Sequence, residues 1–427
     1  MNRTLSVRCG CWNKTQEVKT LFEVGLLPLW LKVAGVIEPR SPAIASPTEM
    51  ISQQRLEPES AQILASYLKQ LQAAGFDPQR QGVWLQTEQQ LLLSTGGDKL
   101  HSGASLTKAA TTLAVLHHYP LGHRFRSQIR TNGSLKAGIL SGDLIVEGGL
   151  DLVLMPAAAI AFGQKLQNMG IQQVRGDLVV QFPDANALVD PDSVGTVLRE
   201  GINANQWSEE MQRHYQQHLA GTPKPTVVVT GTLKPWANSG QMRDLWTHQS
   251  PPILDMVRYM NLHSSNDLAE AFVADMGGVE VLMDTVLAQT QLPPQEIQLQ
   301  NGSGLGVENR MSPRAVTGIF LAIQNKLAAE QRDLGDAFPI SGQDIGTLED
   351  REIPLGAVVK TGTLWNVSAL SGYFPTAQRG RVWFTIMNDG GDFVEGFRQR
   401  QDQLLARLTA AWSEPSQGSP REGSPPM

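Results

Sequence analysis

Cysteine is almost absent from this chain of 427 residues: the only two, Cys9 and Cys11, lie near its start. A disulfide framework and a four-cysteine zinc site are therefore excluded. A folded body without cysteine suits an oxidising compartment without requiring one. Excess positive charge is missing too, since 35 Lys and Arg stand against 41 Asp and Glu, for a formal net charge of -6. A dedicated nucleic-acid binder, with its basic patch or stripe, is set aside on that ground. The longest apolar stretch, Leu21 to Ile37, is broken by Glu23, Pro28 and Lys32, too interrupted for a transmembrane helix, and nothing suggests a multi-span membrane protein. Gly148-Gly149 and Gly277-Gly278 match no phosphate-loop pattern, so no nucleotide cofactor is implied. No internal repeat is found.

What remains is the composition of an ordinary soluble globular protein, 41% hydrophobic and 18% charged with 40 glycines. The length allows two or three domains. Arg3, Arg8, Lys14 and Lys19 precede the broken apolar stretch, and Ala43-Ile44-Ala45 resembles a small-residue cleavage site. This is the order of parts in a secretory signal, in atypical form. An over-long start or a loosely held amphipathic arm is the alternative.

Pro39 to Pro47 reads as a linker, and Ile63, Leu64, Tyr67, Leu68 and Leu71 then recur at helical spacing within Ala61 to Ala73. Val83 to Gln86 and Gln90 to Ser94 read as paired strands. A helix is expected from Ser105 to about His118, stopped before Pro120. Residues 120–249 change texture, with short strand-like runs (Leu144 to Val146, Leu178 to Gln181, Val227 to Thr230) punctuated by glycine and proline. They are expected to form an inserted β-rich module. Asp184, Asp190 and Asp192 there read as turn formers. Helical patterns resume at Ile253 to Met260 and Leu268 to Met276. Ala357 to Leu364, Ser368 to Phe374 and Arg381 to Met387 are strand-like and closely spaced, hence antiparallel neighbours, with a closing helix over Phe393 to Trp412. The resulting division is 1–47 targeting or linker segment, 48–119 with 250–412 as a split catalytic domain, 120–249 as the insertion, and 413–427 as a disordered tail.

Three short patterns occur in order: Ser105-Leu-Thr-Lys108, Ser264-Ser265-Asn266 and Lys360-Thr361-Gly362-Thr363. Ser105 and Lys108 share a helix face, about 5 to 6 Å apart at Cβ, so the amine can reach the hydroxyl. A serine at a helix start also brings a free backbone N–H toward a developing oxyanion. Taken alone each pattern has an ordinary structural explanation: a helix cap with a solvated lysine, a turn between helices, a surface lysine beside a bulge. Ser66-Tyr67-Leu68-Lys69 repeats the first pattern inside an amphipathic helix. The combination is more telling, because a weakly nucleophilic serine needs a base, a proton carrier and a substrate clamp. Adjacent His117 and His118, near His101 and His123, cannot both face one ion easily, so no metal is expected.

With these motifs the chain resembles the serine-type D-alanyl-D-alanine carboxypeptidases of the low-molecular-mass penicillin-binding proteins, in the subgroup with a large insertion. Further stretches share the likeness: Pro251-Pro252-Ile253-Leu254 through Asn261 to Ser264-Ser265-Asn266-Asp267-Leu268-Ala269-Glu270, and Asn301-Gly302-Ser303-Gly304-Leu305 before Met311-Ser312-Pro313. The family more often has Asp where Asn301 and Ser265 stand. The resemblance implies an α/β fold of the penicillin-binding-protein/serine β-lactamase-like transpeptidase type, an antiparallel sheet flanked by helices. It implies that Ser105 forms an acyl-enzyme, that Lys108 takes its proton with a pKa lowered by burial and by the Lys360 cation, and that Ser264 relays the proton. Asn266 would hold the substrate amide or orient Lys108; Lys360, Thr361 and Thr363 would bind the terminal carboxylate; the N–H groups of Ser105 and Thr363 would form the oxyanion hole.

The expected enzyme removes terminal D-Ala from peptidoglycan stem peptides, or cuts D-Ala-containing cross-links, without a cofactor. It is trapped covalently by β-lactam antibiotics and works in the cell envelope, in the periplasm. The rivals are a β-lactamase or esterase on the same fold, and a non-catalytic wall-binding protein.

Overall fold

The closely spaced apolar runs of the last third form one side of an antiparallel sheet, and the early hairpin completes it. In the computed structural model, which describes residues 57–148, 156–181, 191–235, 240–391 and 394–413, this sheet has five strands. They are β1 (Gln81–Gln86), β2 (Leu91–Thr95), β3 (Val358–Leu364), β4 (Val367–Thr376) and β5 (Gly380–Asp389), in spatial order β3-β4-β5-β1-β2. The two-residue turn between β3 and β4 sets a register in which Lys360 faces Ser371 and Thr363 faces Ser368. The expectations for residues 1–47 and 414–427, and for Asp184 and Asp190, lie outside the described residues.

One face of the sheet is covered by helix α1 (Pro58–Ala73) and by a helix spanning Val394–Ala411. Ile63, Leu64, Tyr67 and Leu71 meet Phe397, Leu404, Leu405 and Leu408 over Val83, Val359, Leu370 and Phe384 in one buried cluster. The other face receives helix Pro313–Ala329, whose Thr317 hydroxyl meets that of Thr385 at 2.8 Å inside the core.

Beyond the sheet lies a group of helices around α2 (Thr107–His118), buried from Thr107 to Leu116. A helix that is buried all round needs small or apolar residues on every face, and Ala109, Ala110, Thr111, Thr112 and Ala114 provide them. Against it pack α3 (Ile253–His263), α4 (Asn266–Met276) and α5 (Pro313–Ala329). The helix expected to begin at Ser105 begins two residues later, because Ala104–Leu106 form a 3-10 turn and the α-helix starts at Thr107. The closing helix over Val394–Ala411 is α6.

The segment between α2 and α3 builds a second apolar cluster, including Ile129, Val146, Phe162, Leu166, Leu178 and Leu198, that shares no residue with the sheet cluster. It contains short strands, several of them parallel, and also three helices, Pro156–Asn168, Pro191–Gly201 and Glu209–His218. Asp192 sits in the first turn of the second of these and not in a turn, a correction to the sequence expectation. A carboxylate there suits the partial positive charge of the helix start. The ingoing strand Arg126–Thr131 and the outgoing strand Arg243–Gln249 pair antiparallel, with Thr131 opposite Arg243.

Candidate active site

Three backbone segments converge on Ser105, and close packing dictates their sequences. A Cβ at Gly362 would lie 2.3 Å from the Gly103 carbonyl oxygen, so β3 can press against the serine turn only because that strand has no side chain there. Gly304, at φ +79°, would bring a Cβ within 1.9 Å of the Ala104 oxygen. Ala104 itself takes φ 46°, a left-handed conformation that costs roughly 1 to 2 kcal/mol for a residue with a side chain. The strain is held in place by the strand on one side and the Asn301–Leu305 loop on the other.

Lys108 is fully buried, and its Nζ lies 3.1 Å from Ser105 Oγ, 2.7 Å from Asn266 Oδ1 and 2.8 Å from the Ser303 carbonyl. Three acceptors match the three protons of an ammonium. A neutral amine has two, so Asn266 and Ser303 engage both and the lone pair is left facing the serine hydroxyl. Burial lowers the Lys108 pKa from its usual 10.5 to about 7, while the carboxylates of Glu270 and Asp267 pull it upward. Glu270 has a second task. It accepts the N–H groups of Gly302 at 3.1 Å and Ser303 at 2.9 Å, fixing the loop whose carbonyl touches Lys108.

Ser264 ends α3 in a left-handed conformation, φ 53° and ψ 39°, where glycine or asparagine is usual. Ser265 then caps α4 by accepting the Leu268 N–H at 3.3 Å, which places Asn266 at the first helical position, in reach of Lys108. Lys360 is also fully buried, and its Nζ donates to Ser264 Oγ at 3.0 Å and to the Thr361 carbonyl at 2.9 Å. Burial drives its pKa well below 10.5, and the charge of Lys108 drives it further. Burial is the largest cause of the lowering at both amines.

Ser105, Ser264, Thr361 and Thr363 line one cleft of about 330 Å³, together with Arg398 and the loop from Gly346 to Arg351. The seven predicted site residues are thus gathered in one place. Thr361 and Thr363 line the cleft with the two serines, while Lys108 and Lys360 are fully buried against the serines they bond. Sequence reasoning did not identify the roles of the Ser303 carbonyl, Glu270, Arg351 or Arg398. The first two lie in stretches it had noted, whereas nothing local marks the arginines. Arg351 forms a buried pair with Asp402 at 2.6 Å, and Asp402 also accepts the Glu352 N–H, which pins the loop of the cleft to α6. Among the described residues no group of three or more His, Cys, Asp or Glu is arranged to hold a metal ion.

Comparison with solved structures shows the fold of the penicillin-binding proteins. A predatory endopeptidase from Bdellovibrio bacteriovorus, in complex with an immunity protein, superposes with a TM-score of 0.61 at 17% identity, covering 81% of this chain and 96% of that one. Penicillin binding protein 4 from Haemophilus influenzae gives 0.55 at 17% identity, covering 77% and 96%. The sequence profile of the D-Ala-D-Ala carboxypeptidase 3 (S13) family matches residues 65–190 and 200–411, and the chain belongs to that family.

Curated relatives match over shorter stretches. The penicillin-sensitive carboxypeptidase A of Dictyostelium discoideum is 28% identical over 162 residues, 32% of this chain and 30% of its own length. The carboxypeptidase DacB of Mycolicibacterium smegmatis is 28% identical over 163 residues, 34% and 35%. The chain spans about a third of the length of each.

Proposed function

We propose that this protein is a serine acyl-transfer peptidase that hydrolyses the terminal D-Ala-D-Ala bond of peptidoglycan stem peptides. The observation that carries the reading is the Ser105 hydroxyl held at the mouth of a cleft against a buried amine whose two other partners are fixed. Ser105 Oγ attacks the carbonyl carbon of the penultimate residue while its proton passes to Lys108 Nζ. The oxyanion lies against the N–H groups of Ser105 and Thr363, a type of stabilisation worth about 3 to 4 kcal/mol per donor. The C–N bond then breaks as the proton travels through Ser264 Oγ to the leaving amine. Lys360 donates to Ser264, so the serine's own hydrogen is left to give. Water hydrolyses the ester and restores the Ser105 hydroxyl.

β-Lactams are covalent inhibitors on this reading, because ring opening leaves the same serine ester. The test is incubation with a fluorescent penicillin followed by mass mapping. A lasting adduct on Ser105 is expected. Its absence from folded protein sinks the proposal, and rapid turnover of the β-lactam favours a β-lactamase instead. A wall-bound protein with neither adduct nor peptide release would be the non-catalytic binder.

One feature favours a wider substrate range. Gly346 and Glu349 also line a second opening of about 600 Å³, shared with Glu210, His214, Leu262 and His263. An open end suits a leaving group that continues as a second peptide, hence a D-Ala-containing cross-link. Product analysis on monomeric and cross-linked muropeptides tests this, and release from monomers alone overturns it. The substrate belongs to the cell wall, which places the work in the cell envelope, and the basic, apolar, small-residue order of the first 45 residues favours the periplasm. No helix among the described residues is long and apolar enough to cross a membrane.

A further inference from the structure

The two groups that hold Lys108 besides Ser105 trace back to one face of α4. Asn266 touches the amine directly, at 2.7 Å. Glu270 follows it by four residues, one helical turn along the same face. Its Oε2 accepts the Gly302 N–H at 3.1 Å and its Oε1 the Ser303 N–H at 2.9 Å, and the carbonyl of that same Ser303 takes a Lys108 hydrogen at 2.8 Å. Two successive peptide donors need two acceptors with no hydrogen between them, which a carboxylate offers and an amide does not. The loop is gripped from two further sides. Thr111, one turn beyond Lys108 on α2, donates to the Gly302 carbonyl at 2.7 Å. A Cβ at Gly302 would come within 2.5 Å of Val273 Cγ2 and 2.8 Å of the Ala269 carbonyl oxygen, so α4 presses on the loop while Glu270 orients it.

We propose that Glu270 is a positioning residue of the acylation step: it sets the direction of the Ser303 carbonyl, so that this carbonyl and Asn266 together turn the Lys108 lone pair onto Ser105 Oγ. The inference rests on the acyl-transfer reading above. Glu270 does not line the cleft and acts through Lys108. An amine turns about its Cε–Nζ bond, and only fixed acceptors in two of its directions decide where the third points. Ser303 is buried, so solvent supplies no substitute for its carbonyl. The charge of Glu270 has a second consequence. The charged groups that bear on Lys108 are Glu270 and Asp267 of α4, both of which favour its protonated form, and the Lys360 amine of β3, coupled to it by repulsion. Asp267 carries the same charge without a hydrogen bond to the loop, so it separates charge from position.

The test measures, in the full chain, the rate constant of Ser105 labelling by a fluorescent penicillin from pH 5 to 9, with the final amplitude counting competent sites. In Glu270→Gln the amide turns a hydrogen toward one of the two loop donors. The plateau rate constant should fall about 10- to 100-fold at full amplitude, the range for a lost charge-assisted hydrogen bond, and the acid limb should move to lower pH. Asp267→Asn should move the limb the same way and leave the plateau where it was. Thr111→Val releases the Gly302 carbonyl without touching a charge, and should lower the plateau about 3- to 10-fold with the limb in place. A merely structural role for Glu270 would lower the amplitude and the melting temperature and leave the rate constant of the surviving sites unchanged; that result overturns the inference. So does a limb in Glu270→Gln that climbs toward the ordinary lysine value, which would make the residue a seal against water. Should Glu270→Gln yield no folded protein, Thr111→Val decides, and an unchanged plateau there overturns the inference. If the unaltered protein is labelled and Glu270→Gln is labelled as fast, only the role of Glu270 fails; if Ser105 is never labelled in the unaltered protein, the acyl-transfer reading fails as well.

Discussion

The neutral fraction of Lys108 should govern the rate at which Ser105 is acylated, and changing the pH perturbs it directly. An ordinary lysine with a pKa of 10.5 is neutral in roughly one molecule in three thousand at pH 7, whereas Lys108, near 7, is neutral in about half. The gain in available base is on the order of 10³-fold, equivalent to about 4 kcal/mol of barrier. The rate constant for labelling by a fluorescent penicillin should therefore rise about tenfold per pH unit below 7 and level off above it. Stability should move in the same direction. The unfolded chain keeps this proton to about pH 10.5 and the folded chain loses it near 7. Between those values the folded form binds fewer protons, so stability is lowest below about pH 7 and grows toward pH 10.5, by up to about 4 to 5 kcal/mol. Urea unfolding of the unaltered protein and of Lys108→Met at pH 6.5 and pH 9 isolates that slope. A labelling rate that is flat from pH 5 to 8, or still climbing at pH 10, would refute the assignment of Lys108 as the base.

Three substitutions probe the surroundings of that base. Asn266→Ala removes the 2.7 Å partner of Lys108 and should slow Ser105 labelling about 10- to 100-fold with little change in melting temperature. Ser264→Gly relieves a left-handed residue, so stability should hold or rise slightly in thermal unfolding while peptide release falls; a large loss of stability would contradict the strain argument. Asp402→Ala leaves the buried Arg351 guanidinium without its carboxylate and should destabilise the protein by about 3 to 5 kcal/mol in urea titration, with loss of substrate affinity as the cleft loop loosens.

The five-stranded sheet could be read from the chain because β3, β4 and β5 are apolar, closely spaced and joined by short turns, so local pattern and final pairing agree. The three motifs were equally legible, since each carries its chemistry within a few residues. The Ser303 carbonyl was not, because any residue supplies a carbonyl and only the fold decides which one reaches Lys108. Arg351 and Arg398 were missed for a related reason: a guanidinium is ordinary on a surface and becomes specific only when α6 sets it beside β3. The helices between α2 and α3 were hidden by the glycine and proline punctuation of that segment. Pro156 and Pro191, which suggest loops in a linear reading, occupy helix starts, where the missing N–H is harmless.

The ladder between Arg126–Thr131 and Arg243–Gln249 has an evolutionary corollary. Since Thr131 and Arg243 lie opposite each other, everything threaded between them departs and returns at one doorstep, and the distance from Ser105 to Ser264 through space is indifferent to the mileage of chain in between. A lineage could lengthen, trim or restyle that detour, and the three segments that meet around Ser105 would never need to be reinvented.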